Sequence, residues 1–254
     1  MNSKELFTKK SYSYDKYRQS YSDALYEYIF KYCNITPQHT IADIGSGTGL
    51  FSEQFIKSGI NVFCVEPNKH MRDIAEEKLN IFNNFHSISG DYEHTTLEED
   101  SINIITVAQA FHYFNPELFL KECKRIVKNN NDYVIIVWNR KIDNSLDRER
   151  RALAEKYCPK YLLYSKASSC REQTVLDFFR HDNGLVKISF PNDIYNTYDD
   201  FLGRTLTAYY ALDASDENYC TYVYHLTKYF EKHAVAGKIV IPNETVAYIG
   251  RLGN

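Results

Sequence analysis

One stretch restricts the folds open to this chain more than any other: Thr40-Ile41-Ala42-Asp43-Ile44-Gly45-Ser46-Gly47-Thr48-Gly49-Leu50-Phe51. A short apolar run ends at an acid, three glycines alternate with Ser46 and Thr48, and an amphipathic helical pattern follows. This order predicts a buried strand, a tight turn and a helix N-terminus. Glycine suits a turn whose backbone takes positive φ or touches a ligand closely. The helix behind the turn aims free N–H groups at whatever occupies the loop. Open α/β sheets bind ligands at the carboxyl ends of their strands, where this loop would lie.

The spacing matters. A dinucleotide fingerprint is G-x-G-x-x-G, whereas Gly45-x-Gly47-x-Gly49 is one residue tighter. A second apolar run, Val62-Phe63-Cys64-Val65, ends at Glu66. A carboxylate at the tip of a second strand can accept from both ribose hydroxyls and repels a 2′-phosphate. Further strands are expected at about 85–89, 102–107 and 133–138, with helical patterns between them. Asn68 and Asn115 are placed to cap two of those helices, the second with Pro116 in its first turn. Ser22 is placed to cap an earlier one that carries Leu25, Tyr28, Ile29 and Tyr32 on one face. Five strands alternating with helices predict a parallel, doubly wound sheet.

Beyond residue 140 the rhythm breaks. Residues 142–182 read as helical and charged, 185–190 as a sixth strand, and 193–236 as helices dense in aromatics. Residues 238–241 and 245–250 then read as strands. No Gly/Ser linker interrupts the chain, so one domain over 1–254 is expected. Within it, 1–37 is read as an N-terminal lid and helix, 38–140 as a cofactor core, 142–182 and 193–236 as cap inserts, and 238–254 as closing strands.

The formal charge of −3, with acids and bases interleaved, gives no basic block for nucleic acid or an anionic membrane. No apolar run approaches the roughly 20 residues of a membrane span, and the N-terminus lacks a secretory h-region. Six scattered cysteines without a C-x-x-C pair read as free thiols in a reducing cytosol. No histidines stand at metal spacing, so no metal is expected. The 22 tyrosines admit two readings: codon bias with ordinary packing, or a pocket wall that stacks on a flat or cationic ligand.

Asp43 to Gly49 followed by Val65-Glu66-Pro67-Asn68 resembles the class I S-adenosylmethionine-dependent methyltransferases. Gly90-Asp91-Tyr92 and Ala108-Gln109-Ala110-Phe111-His112-Tyr113-Phe114 match later motifs of that family in the same order. The likeness covers roughly residues 38–140 well and the rest loosely. It implies a Rossmann-like doubly wound sheet of seven strands, mostly parallel, with the last strand antiparallel and a helical, Tyr-rich cap. It implies S-adenosylmethionine as cofactor and a small-molecule acceptor methylated at O, N or C. Asp43, Gly45, Ser46, Gly47, Thr48, Gly49, Glu66 and Pro67 would form the first part of its site. Met71, Asp91 and Tyr92 would meet the adenine, and Ala108, Gln109 and Ala110 the sulfur arm. Tyr17 and Arg18, in a segment like the family's Tyr-x-x-Tyr-Arg lid, would face the methionine end; the bland alternative is a disordered terminus. Asn129-Asn130-Asn131 stands where the family usually has Pro-Gly-Gly, a departure that Asn's tolerance of αL accommodates.

His112 is the candidate general base, with simple walling of the site as the alternative. Glu98-Glu99-Asp100 reads as a solvated loop, and Arg148-Glu149-Arg150-Arg151 as a helix face rather than a phosphate clamp. Two other functions share these motifs: a nicotinamide-linked oxidoreductase and a module that binds S-adenosylmethionine without turnover. The tight glycine spacing and the lack of a suitably placed Tyr-x-x-x-Lys pair speak against the oxidoreductase. RNA or protein modification is a weaker alternative.

Overall fold

The computed structural model describes residues 19–129, 132–162, 172–182, 184–208 and 210–252. Tyr17, Arg18 and the central turn residues Asn130 and Asn131 lie outside them. The chain enters through α1 (Asp23–Tyr32), which ends where Asn34 takes a φ of 48°. It then alternates β1 (Thr40–Ile44), α2 (Ser52–Lys57), β2 (Asn61–Val65), α3 (Lys69–Leu79), β3 (Phe85–Ile88) and β4 (Ile104–Ala108). A single 3₁₀ turn at Phe111–Tyr113 leads to α4 (Pro116–Ile126) and β5 (Tyr133–Lys141). The remainder is α5 (Ser145–Tyr157), α6 (Glu172–Phe178), β6 (Val186–Pro191), β7 (Ile194–Asn196), α7 (Tyr198–Leu206), α8 (Tyr219–His233), β8 (Ile239–Ile241) and β9 (Asn243–Arg251).

Seven strands form one sheet in the order β3-β2-β1-β4-β5-β9-β6. The first five run parallel, and β9 inserts antiparallel between β5 and β6. The doubly wound, mostly parallel sheet with an antiparallel last strand is thus as the sequence predicts. Reversal of order beside β1 opens a crevice at the carboxyl edge between β1 and β4, where such sheets bind ligands.

Both faces of the sheet are covered, which is why its central strands read as continuous apolar runs. On one face Leu25, Ile29, Phe51, Phe55, Ile56 and Leu79 from α1–α3 pack on Ile41, Val62, Ile104 and Ile135. On the other, Phe119, Cys123 and Ile126 of α4 and Val175 and Phe178 of α6 pack on Ile44, Ile105, Val107 and Ile136. Segment 142–182 therefore divides: α5 joins the cap, while α6 returns to the sheet, its Phe178 ring stacked on Phe119 at 5.5 Å. A third core, centred on Phe201, Tyr222, Leu226 and Tyr229, holds α5, α7, α8 and the small β7–β8 ribbon together. Much of the tyrosine surplus packs here. Residues 239–241 belong to that ribbon, and β9 alone closes the main sheet. Among the described residues no helix is long and apolar enough to cross a membrane.

Capping follows the side-chain chemistry. Asn68 Oδ1 accepts from the N–H groups of His70 and Met71, and Asn115 Oδ1 from Glu117 and Leu118. Ser22 departs from expectation. It precedes α1 but makes no side-chain cap; its own N–H donates to Thr245 Oγ1 at 3.2 Å.

Candidate functional site

The three glycines of the loop take φ of 72°, 58° and 76° at 45, 47 and 49, and each has a different reason. A Cβ on Gly45 would stand 2.7 Å from Ala110 Cβ, so Gly45 and Ala110 must both be small for β1 and β4 loops to meet. A Cβ on Gly49 would strike Leu79 Cδ1 at 2.6 Å, which fixes how closely α3 packs. A Cβ on Gly47 would meet nothing within 4 Å. Gly47 thus faces open space, and two of the three glycines serve packing.

Glu66 organises the other side of the loop. Its Oε2 accepts from the Gly47 N–H at 3.0 Å and its Oε1 from the Asn68 N–H at 2.8 Å. Arg72 Nη1 donates to the Glu66 carbonyl at 2.6 Å. Burial raises the Glu66 carboxyl above its ordinary pKa, while the two backbone N–H bonds oppose that shift. The N–H groups of Gly45 and Ser46 both donate to the Val65 carbonyl, which draws the glycine loop against the tip of β2. Ser46 and Thr48 complete the loop, and Pro67 carries the chain from Glu66 to the Asn68 cap.

Asp43 lies beneath this surface, 1% exposed. Its Oδ2 accepts from Ser52 Oγ at 2.6 Å and its Oδ1 from Thr106 Oγ1 at 2.8 Å. These bonds tie β1 to α2 and β4. Burial raises its carboxyl to about 6, and the two hydroxyls only partly offset that.

The remaining residues line the same carboxyl edge. Asp91 Oδ1 accepts from the N–H groups of Glu93 and His94, holding the turn after β3. Tyr92 stacks on Phe114 at 4.5 Å and 16°. Met71 is buried in the first turn of α3. Ala108 ends β4, and Gln109 follows with a φ of 59°, a conformation costing a non-glycine residue roughly 1–2 kcal/mol. Gln109 is held there by its N–H to the Val137 carbonyl (2.9 Å) and its Nε2 to the Asn139 carbonyl (3.2 Å). His112 sits in the 3₁₀ turn, its ring 3.9 Å from that of Tyr113 and its nitrogens shielded from solvent. No group of three or more His, Cys, Asp and Glu gathers for a metal among the described residues.

Sequence reasoning missed three features. Trp138, the chain's single tryptophan, projects from β5 between Phe111 and Tyr248, its indole N–H buried without a hydrogen-bond partner among the described residues. Asn139 Oδ1 accepts from Thr245 Oγ1 (2.6 Å) and Asn192 Nδ2 (3.2 Å), while both amides donate to the Ser20 carbonyl. This polar knot, with Gln19 donating to Asn192, moors the entering chain at the carboxyl edge. The third feature is the burial of Arg150. Arg150 does lie on a helix, as expected, but its side chain is turned inward, 7% exposed and bonded to Asp147. Only the position of Asn139 just past the expected end of the fifth strand hinted at any of these; the strand itself runs on to Lys141.

The residues fit an adenosine-bearing cofactor. A carboxylate offers about four lone-pair sites, and Glu66 uses two, leaving one on each oxygen for a pair of hydroxyls. Gly47, beside it, presents bare backbone to open space.

The sheet order and this edge define the class I methyltransferase fold. Residues 42–135, the stretch that holds the glycine loop, Glu66 and the end of β4, are similar to the family described as "Methyltransferase domain". A Dictyostelium discoideum protein named as a methyltransferase is 32% identical over 57% of this chain and 54% of its own length. The chain spans about half the length of the curated relatives it matches. Among solved structures, the YcgJ protein of Bacillus subtilis aligns with TM-score 0.57 and 17% identity, covering 90% of this chain and 97% of that one. Phosphoethanolamine N-methyltransferase 2 of Haemonchus contortus, solved with phosphomonomethylethanolamine and S-adenosylhomocysteine, aligns with TM-score 0.62 and 10% identity. It covers 100% of this chain and 61% of that one, and at such identity the likeness shows the fold alone.

Proposed function

We propose that this protein methylates a small molecule in the cytosol, using S-adenosylmethionine, and that 1–254 acts as one unit in which the cap covers the cofactor core. The observation that carries the reading is the pairing of Glu66 with Gly47 beside open space. In this reading Glu66 holds the ribose hydroxyls, and Gly45 to Gly49 give the backbone surface for the rest of the nucleoside. Met71, Asp91 and Tyr92 border the adenine, with Asp91 accepting from its amino group. Ala108, Gln109 and Ala110 border the sulfur arm, and Tyr17 and Arg18 its methionine end. Asp43 acts through the loop it braces.

When bound, the cofactor supplies a methyl group already activated on a sulfonium. The protein's main task is then alignment, worth roughly 7–11 kcal/mol. A general base adds about 3–5 kcal/mol. His112 is the residue we assign that smaller role. The Tyr-rich, capped edge and the lack of a basic block support a metabolite over RNA as acceptor.

Isothermal titration with S-adenosylhomocysteine should show micromolar binding. Gly47→Val should lose it by more than about 100-fold, because the new side chain fills the open space beside Glu66. Preferential binding of NADH, or equal S-adenosylhomocysteine affinity in both proteins, would overturn the reading. Release of S-adenosylhomocysteine across a metabolite panel then tests turnover, with RNA as the contrasting substrate.

A further inference from the structure

Residues 19–22 form no helix or strand, so their backbone groups need partners elsewhere. The Ser20 carbonyl accepts from Asn139 Nδ2 at 3.1 Å and from Asn192 Nδ2 at 2.9 Å. The Ser22 N–H donates to Thr245 Oγ1 at 3.2 Å, and that hydroxyl in turn donates to Asn139 Oδ1 at 2.6 Å. Between Ser20 and Ser22, Tyr21 is buried, its ring edge-on to Phe51 at 4.8 Å. Phe51 stands two residues past Gly49. The entering segment therefore touches the chain just after the β1 loop on one side and the end of β5 on the other.

Asn139 is where that segment meets the site. Its side chain bonds to Ser20 and Thr245, and its carbonyl accepts from Gln109 Nε2 at 3.2 Å. Gln109 carries a strained φ of 59°, and its N–H also bonds to β5, at the Val137 carbonyl. The end of β5 thus sets where Gln109 stands. Pairing of β5 with β9 runs on past Asn139 to Lys141 and Asn243, so the backbone ladder holds these strands without help from the Asn139 side chain. What that side chain adds is a tie between the entering segment and the same residue that holds Gln109.

We propose that Asn139 is a positioning residue: its side chain and its carbonyl together couple the seating of residues 19–22 to the placement of Gln109 against the cofactor's sulfur arm. This deepens the methyl-transfer reading above and rests on its assignment of Gln109, not on the identity of the acceptor. Such coupling is reciprocal. A cofactor that fixes Gln109 also tightens 19–22, and loosening 19–22 weakens the cofactor by the same factor.

The test uses S-adenosylhomocysteine and the full chain. Asn139→Asp keeps the shape and the Oδ1 acceptor but turns a lone pair, not an N–H, toward the Ser20 carbonyl. Couplings between sites are typically about 5- to 150-fold, so titration should show binding weakened by about tenfold. Gln109→Met removes the bond to the Asn139 carbonyl and keeps the side-chain length. In the double variant the two losses should not multiply, because one chain of contacts carries both. Arg140→Gln breaks only the Arg140–Glu244 ion pair on the same two strands and should leave affinity within about twofold. Hydrogen exchange gives a second readout. Bound S-adenosylhomocysteine should slow exchange of the 19–22 amides in wild type. At saturation that protection should shrink in Gln109→Met, although the Gln109 bonds go to Val137 and Asn139 and not to the entering segment. Wild-type affinity in Asn139→Asp, losses that multiply, or unchanged protection of 19–22 in Gln109→Met would overturn the coupling. Absence of S-adenosylhomocysteine binding by wild type would overturn the cofactor site and this coupling with it. Release of S-adenosylhomocysteine with RNA or protein alone would overturn only the small-molecule reading.

Discussion

Asp43 allows a quantitative test of how the loop is braced. Its carboxyl is almost fully buried and titrates near 6 in the fold, against an ordinary 3.8. A raised acid favours the folded state only while protonated. The stabilisation is complete below 3.8 and is lost as pH rises through 6. The full swing is about 3 kcal/mol, from roughly two pKa units at 1.36 kcal/mol each. Between pH 5 and pH 8 the part that disappears is about 1.4 kcal/mol. Asp43→Asn keeps the shape and removes the charge. Ser52 and Thr106 can turn their hydroxyls, so Asn can still accept from one and donate to the other. Any constant cost of that rearrangement is the same at every pH and cancels in the comparison. Urea unfolding of both proteins at pH 5, 6, 7 and 8 should show the gap moving toward Asn by about 1.4 kcal/mol. A gap that stays flat across that range would refute buried ionisation as the cause.

Glu122 should behave in the opposite sense. Burial raises its carboxyl, but bonds from Arg125 and Thr95 outweigh that and hold it at about 2. Its stabilisation is present above 4.5 and is lost as pH falls toward 2, so Glu122→Gln should cost about 3 kcal/mol at pH 7 and little at the acid end, by denaturant melts. Gly49→Ala should destabilise by at least about 2 kcal/mol, since the methyl strikes Leu79 and φ is positive, and thermal melting without ligand would show it. Gly47→Ala, whose added Cβ meets no protein atom within 4 Å, bears only the positive-φ strain and should lose less stability than Gly49→Ala, which adds a clash to it.

Local chemistry made much of the sheet legible in the sequence. The runs ending at Asp43 and Glu66 had to be strands, and Asn68 and Asn115 had to start helices, because each signal is contained within a few residues. Gly47 was legible as a turn position that takes positive φ, whereas the packing duties of Gly45 and Gly49 depend on Ala110 and Leu79, which are distant in sequence. Ser22 has a capping side chain but makes no cap bond; what ties it is its backbone N–H, to Thr245 more than 200 residues away, which no local signal shows. The burial of Arg150 was hidden because a helix face shows only its own charges; that burial depends on Tyr210 and the cap. Trp138 and the Asn139 knot were invisible for the same reason.

β6 joins the sheet only through β9, although β9 follows the whole cap in the chain. Until the ribosome has added roughly one hundred residues past β5, that strand keeps a bare hydrogen-bonding edge. At about 5–20 residues per second this lasts on the order of 5–20 s. A long, apolar, unpaired edge invites pairing with the wrong neighbour, so the nascent protein is most vulnerable to aggregation just before its last strand emerges.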